Sequence, residues 1–161
     1  MKASSISTIR ETIQHLPKEA LIDLCQKMMK FRKENKELLH YILFESTDEI
    51  LFIMNLKGEI DELFGTVNTH SIFFAKKTIR KILRDINKHC KFSGRPSTQI
   101  ELLLHFCKRM HALPLQWHDS KVMINLYRSQ LNKIEKGLLT LHEDLQYDYR
   151  QQIDELNFVA N

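Results

Sequence analysis

No stretch of this chain alternates apolar and polar residues long enough to make a strand. Apolar residues instead recur at three- and four-residue spacing along most of its length. That pattern selects helices, and the turn chemistry agrees. Four glycines and three prolines in 161 residues are too few for a sheet protein, whose tight hairpins need residues that tolerate positive φ. The length fits one domain over 1–161, with fraying expected at 1–6 and 157–161. A chain of that size buries roughly two-thirds of its unfolded surface, enough for a core without metals or disulfides. An apolar fraction of 43% with 27% charged residues argues against disorder.

The helix boundaries are read from capping signals. Thr8-Ile-Arg-Glu11, Ser46-Thr-Asp-Glu49, Thr98-Gln-Ile-Glu101 and Thr140-Leu-His-Glu143 all have the spacing of a capping box. Pro17 reads as the first-turn proline of a second helix, followed by Leu21, Leu24, Cys25, Met28 and Phe31 on one stripe. The charged stretch Arg32–Glu37 leads to a short apolar helix through Leu43. The helix after Ser46 tolerates a break at Gly58 and stops at Gly65–Thr69, and a long helix spans about Ser71 to Phe92. Ser93-Gly-Arg-Pro-Ser97 reads as a loop, Pro114 ends the next helix, and Asp119 or Ser120 caps the one after Trp117. The expectation is all-α: seven or eight helices with short connections and antiparallel neighbours, as a bundle or a HEAT-like array.

Three segments carry a resemblance: Leu16-Pro-Lys-Glu-Ala-Leu-Ile-Asp-Leu24, Ala75-Lys-Lys-Thr-Ile-Arg-Lys-Ile82 and Tyr127-Arg-Ser-Gln-Leu-Asn-Lys-Ile-Glu-Lys-Gly-Leu138. In that order they resemble a family of bacterial all-helical domains of unknown function. The resemblance covers most of the chain and implies the fold, with no activity and no catalytic residues.

The most organised polar feature is the helix over 71–92. At 100° per residue, Lys76, Lys77, Arg80, Lys81, Arg84, Lys88 and Lys91 fall within an arc of about 140°, opposite Ile72, Ile79, Ile82, Leu83, Ile86 and Cys90. Such a face suits a phosphate-tracking surface. It equally suits pairing with the acidic C-terminal helix, which carries Glu143, Asp144, Asp148, Asp154 and Glu155. No aromatic residue is expected among these cations, which argues against base stacking there. Phe74 lies off the apolar arc of this helix and needs cover from another element or a partner. Trp117, the only tryptophan, either closes one end of the helices over Leu113 and Leu115 or stands out as an aromatic anchor for a protein partner.

Other chemistries find weaker support. Glu37-Leu-Leu-His40 has the spacing of a di-iron ligand pair but no second copy, and Cys107 with His111 supplies two zinc ligands of the four required. His105, His111 and His118 fall beside Cys107 and Asp119, yet no nucleophile turn, glycine-rich phosphate loop or dinucleotide fingerprint accompanies them. No cofactor is expected. Three cysteines, an odd number without paired spacing, read as free thiols in a reducing compartment. With no secretory signal and no apolar run beyond Ile50–Met54, the chain reads as cytoplasmic and without a membrane span.

The resulting expectation is a non-enzymatic helical interaction module of the bacterial cytoplasm, with a protein partner and a possible homo-oligomer. The alternatives are a nucleic-acid-binding accessory protein using the basic face, and a metal-dependent enzyme on a helical scaffold.

Overall fold

A computed structural model describes residues 2–157; of the fraying expected over 157–161, residue 157 is the last of a helix and 158–161 lie outside the described residues. The described residues form eight α-helices and no strand, as the apolar spacing requires. They are α1 (Ile6–Gln14), α2 (Lys18–Phe31), α3 (Lys33–His40), α4 (Glu49–Gly65), α5 (Ile72–Ser93), α6 (Pro96–His111), α7 (Lys121–Leu138) and α8 (Glu143–Asn157). A π-helical turn spans Tyr41–Glu45 and a 3-10 turn spans Trp117–Asp119. The chain, expected as one domain, is divided into two compact units, Met1–Phe44 and Glu45–Asn161.

In the first unit α2 packs on α3, and none of α1, α2 and α3 holds a buried residue. The helix α1 is capped by Ser5, whose hydroxyl accepts the Thr8 amide at 3.2 Å. Thr8 therefore sits inside the first turn and is not the cap. The charged stretch from Lys33 is helical in α3, with Lys33 and Glu37 3.4 Å apart on one face.

The core of the second unit is built around α6. This helix is apolar on nearly every side: Ile100, Leu102, Leu103, Leu104, Phe106, Cys107 and Met110 are all buried. A helix with apolar residues all round must be enclosed, and α4, α5, α7 and α8 all pack against it. Chain direction follows from the contacts. Phe52 of α4 meets His89 of α5, and Ser93 at the end of α5 meets Glu49 at the start of α4, so these two run antiparallel. Gly137 near the end of α7 abuts Ile100 near the start of α6, again antiparallel. Helices two apart run parallel: α4 and α6 are joined by Glu49–Thr98, Lys57–Glu101 and Asp61–His105 in ascending order.

The connections are short because helix ends do the turning. Gly94 takes φ +66°, a conformation that β-carbon crowding disfavours for other residues, and its amide bonds the Cys90 carbonyl at 2.9 Å. Pro96 then opens α6 at a position where its missing N–H is not required, so the predicted five-residue loop shrinks to Gly94 and Arg95. Gly58 causes no break in α4.

Three further caps differ from the spacing-based assignment. Asp48, not Ser46, caps α4 by accepting the Leu51 amide at 3.0 Å. Thr98 lies inside α6, fully buried, with its hydroxyl donating to Glu49 at 2.5 Å. Before α8, the Thr140 hydroxyl donates back to the Gly137 carbonyl, while the His142 carbonyl accepts the Gln146 amide at 3.1 Å and opens the helix.

Candidate docking surface

Packing of α5 against α4 and α6 fixes which of its sides looks outward. Ala75, Ile79, Ile82, Ile86 and Cys90 are buried, which turns the arc carrying the cations to solvent. Lys77, Arg80, Lys81, Arg84 and Lys91 are exposed, and Lys76 and Lys88 are half-buried. Lys88 has an acid nearby, with Asp85 at 3.9 Å. Lys76, Lys77, Arg80, Lys81, Arg84 and Lys91 have no carboxylate within 4 Å among the described residues. The acidic helix α8 lies against α6 and α7 instead. Internal neutralisation of the basic face by α8, one of the two expectations for it, is therefore absent among the described residues.

The cations are not alone. Phe73 stands at the centre of their arc, one turn before Lys76 and Lys77, and it is 68% exposed. The Lys76 ammonium lies 5.8 Å from its ring centroid, within cation–π reach. Phe74 is also exposed and meets Phe73 edge to face at 5.4 Å. This corrects the expectation that no aromatic belongs to the basic face, and Phe74 remains 55% exposed, with the Phe73 ring as its neighbour among the described residues. At the other end, Lys91 and Arg95 line a pocket of about 210 Å³ with Asn87, Gln99 and Gly94. Arg95 is partly held there by Glu49, 3.7 Å from its Nε, and by the Ser46 carbonyl at 3.3 Å.

Trp117 is not an exposed anchor. Its ring is buried, stacked on His118 at 3.8 Å and 5.0 Å from Tyr127, because the 3-10 turn folds it under the start of α7.

The residues weighed for metal or acid–base chemistry are scattered or already engaged. His105 shares Asp61 with Arg109, at 2.7 and 3.0 Å. His111 and His118 are exposed, and Cys107 is buried. Burial pushes the Cys107 thiol up to about 12 and the Cys90 thiol to about 11, unlike a reactive thiolate. No group of three or more His, Cys, Asp or Glu side chains converges among the described residues. One polar network does form, where Glu101 accepts from Lys57 and from the Tyr149 hydroxyl, both at 2.5 Å. Burial raises the Glu101 carboxyl, but these two donors and the charges of Lys57 and Lys108 together outweigh it and hold it below the ordinary carboxylate range. The network ties α4, α6 and α8 together.

No helix of the described residues is long and apolar enough to cross a membrane. Comparison with protein-family models, curated proteins and solved structures finds nothing that matches this chain.

Proposed function

We propose that this chain is a non-enzymatic helical interaction module of the bacterial cytoplasm, and that the outward face of α5 is its docking surface for an anionic macromolecule. The observation behind this reading is the set of six cations with no carboxylate within 4 Å among the described residues, arranged around the exposed Phe73 and Phe74. A folded helix gains nothing internally from that arrangement, since like charges three and four apart cost a few tenths of a kcal/mol each. A negatively charged partner relieves the repulsion, and the two rings offer apolar contact within the same footprint.

Heparin chromatography of wild type and of the Lys77→Glu/Arg80→Glu/Arg84→Glu variant, with helicity checked by circular dichroism, tests this reading. Wild type is expected to elute at clearly higher salt than the folded variant. Equal elution would show that the face is not available to a polyanion and would overturn the reading.

A further inference from the structure

The fold leaves a second charged face outward, and it is the complement of the first. On α8, Tyr149, Ile153 and Leu156 turn inward, Ile153 and Leu156 being buried and Tyr149 bonded to Glu101. At 100° per residue this sets Glu143, Asp144, Asp148, Asp154 and Glu155 within an arc of about 140° on the opposite, exposed side. No lysine or arginine lies within that arc. Glu143, Asp148, Asp154 and Glu155 have no cation within 4 Å among the described residues, and Asp144 has only exposed His142 at 3.4 Å. Tyr147 stands within the acidic arc, 67% exposed, as Phe73 stands within the basic one.

The two faces match in size as well as in sign. The cations from Lys76 to Lys91 extend along about 22 Å of helix, and the carboxylates from Glu143 to Glu155 along about 18 Å. Each arc spans the same fraction of its helix circumference, and each has one exposed aromatic ring to contribute apolar contact. Yet α5 packs on α4 and α6 while α8 packs on α6 and α7, so the chain does not satisfy one face with the other.

We infer that the anionic macromolecule docking on α5 is a second copy of this chain, presenting its α8. This rests on the reading of α5 as a docking surface and names its partner. The contact is heterologous, α5 of one molecule against α8 of the next. Each molecule therefore keeps one free face of either sign, and association continues until it closes into a ring or grows as a chain. Charge pairing steers and registers the contact, while Phe73, Phe74 and Tyr147 are placed to bury apolar surface within it.

The test is sedimentation velocity over a range of protein concentrations, using two charge-reversal variants. One is Lys77→Glu/Arg80→Glu/Lys81→Glu/Arg84→Glu/Lys91→Glu, which leaves only Lys76 and Lys88 of the basic face and makes both faces acidic. The other is Asp144→Lys/Asp148→Lys/Asp154→Lys/Glu155→Lys, which leaves only Glu143 of the acidic face and makes both faces basic. Wild type is expected to rise with concentration to at least twice the 19.1 kDa monomer mass. It should return to monomer near 0.5 M salt, where the Debye length falls to about 4 Å. Each folded variant alone should remain monomeric, and an equimolar mixture of the two should regain association, because every acidic face then meets a basic one.

Wild type that stays monomeric at low salt at every concentration overturns the inference, and so does a mixture that fails to associate when wild type does. Fluorescence anisotropy of labelled duplex DNA and single-stranded RNA runs alongside. Monomeric wild type that binds either one in an α5-dependent manner would replace the second copy with nucleic acid and leave α5 as the docking surface. Loss of heparin retention as well would remove the docking surface itself.

Discussion

Replacing Thr98 with valine removes one hydroxyl and keeps the side-chain shape, so it isolates a single buried interaction. Thr98 is fully buried, and its hydroxyl donates to Glu49 Oε1 at 2.5 Å; Ser93 donates to the same oxygen at the same distance. The second carboxylate oxygen lies 3.7 Å from Arg95 Nε. Glu49 is only 9% exposed, so water replaces a lost donor poorly. Hydrogen bonds to charged groups contribute about 1.5–3 kcal/mol each. Thr98→Val is therefore expected to lower unfolding free energy by about 2 kcal/mol, and the melting temperature by about 4–8 °C for a chain of this size. Urea unfolding followed by circular dichroism reads the first quantity and a thermal melt the second. Glu49→Met/Ser93→Ala/Thr98→Val supplies the control. It removes the acceptor with both hydroxyl donors, so it should recover at least half of the loss, because a buried carboxylate short of a donor costs more than an apolar cluster of similar shape. A Thr98→Val protein within about 0.5 kcal/mol of wild type, the range of ordinary surface changes, would refute the idea that the Glu49 carboxylate binds the ends of α4, α5 and α6 together.

Glu101 gives a pH dependence of defined sign. Its carboxyl titrates below the ordinary 4.5 in the folded protein, so the unfolded chain takes up the proton first. The stabilisation is present above that value and is lost as pH falls through the folded one. Glu101→Gln should accordingly cost stability near pH 7 and progressively less as pH falls below the ordinary carboxylate range, measured by urea unfolding; a cost that does not change with pH would contradict this. Two glycines should respond with opposite signs. A β-carbon at Gly58 meets nothing within 4 Å, so Gly58→Ala should add about 0.4–1 kcal/mol through helix propensity and a narrower unfolded ensemble. A β-carbon at Gly137 would stand 3.2 Å from Cγ1 of the fully buried Ile100, so Gly137→Ala should lose about 1 kcal/mol despite its better propensity. A thiol-reactive chromophore should label Cys25 at once in native protein, and Cys90 and Cys107 only on unfolding; prompt labelling of all three would show that the region around α5 and α6 opens readily.

The all-helical class was legible because it depends on periodicity, a local property. The face of α5 was legible for the same reason: azimuth follows from residue number once the helix is granted. What the sequence hid is what those residues meet. Thr98 and Glu101 have capping-box spacing, but the packing of α4 beside α6 gives them partners 44 to 49 residues away, and those partners take the oxygens. Ser46 and Thr140 mark helix starts to within a few residues for the same local reason, and the true caps differ because backbone geometry decides which oxygen faces the free amides. Whether α8 neutralises α5 depends on which side of α6 each occupies, which no local pattern encodes. Trp117 is similar, since its fate turns on how a 3-10 turn folds back over α7. Phe73 is different. Its azimuth at the centre of the basic arc could be computed from numbering alone, one turn ahead of Lys76, so the sequence did carry that signal.

The unpaired cations have a consequence within the isolated molecule. Five pairs among Lys76, Lys77, Arg80, Lys81 and Arg84 stand three or four residues apart (76/80, 77/80, 77/81, 80/84 and 81/84), and each costs about 0.2–0.5 kcal/mol at low ionic strength. Together they oppose folding by about 1.5 kcal/mol, and none of these five cations has a carboxylate within 4 Å among the described residues. Arg80→Gln/Arg84→Gln removes four of the five at almost no change in helix propensity. This variant should therefore be more stable than wild type by about 1 kcal/mol in low salt. The advantage should shrink towards zero as salt rises and screening reaches the exposed pairs. Any partner that occupies the face shows the opposite salt response, because screening removes its attraction while relieving the free helix. Thermal melts of both proteins across a salt series decide the matter: an Arg80→Gln/Arg84→Gln protein no more stable than wild type, or an advantage indifferent to salt, would mean the charges on α5 are already compensated and leave nothing for a partner to relieve.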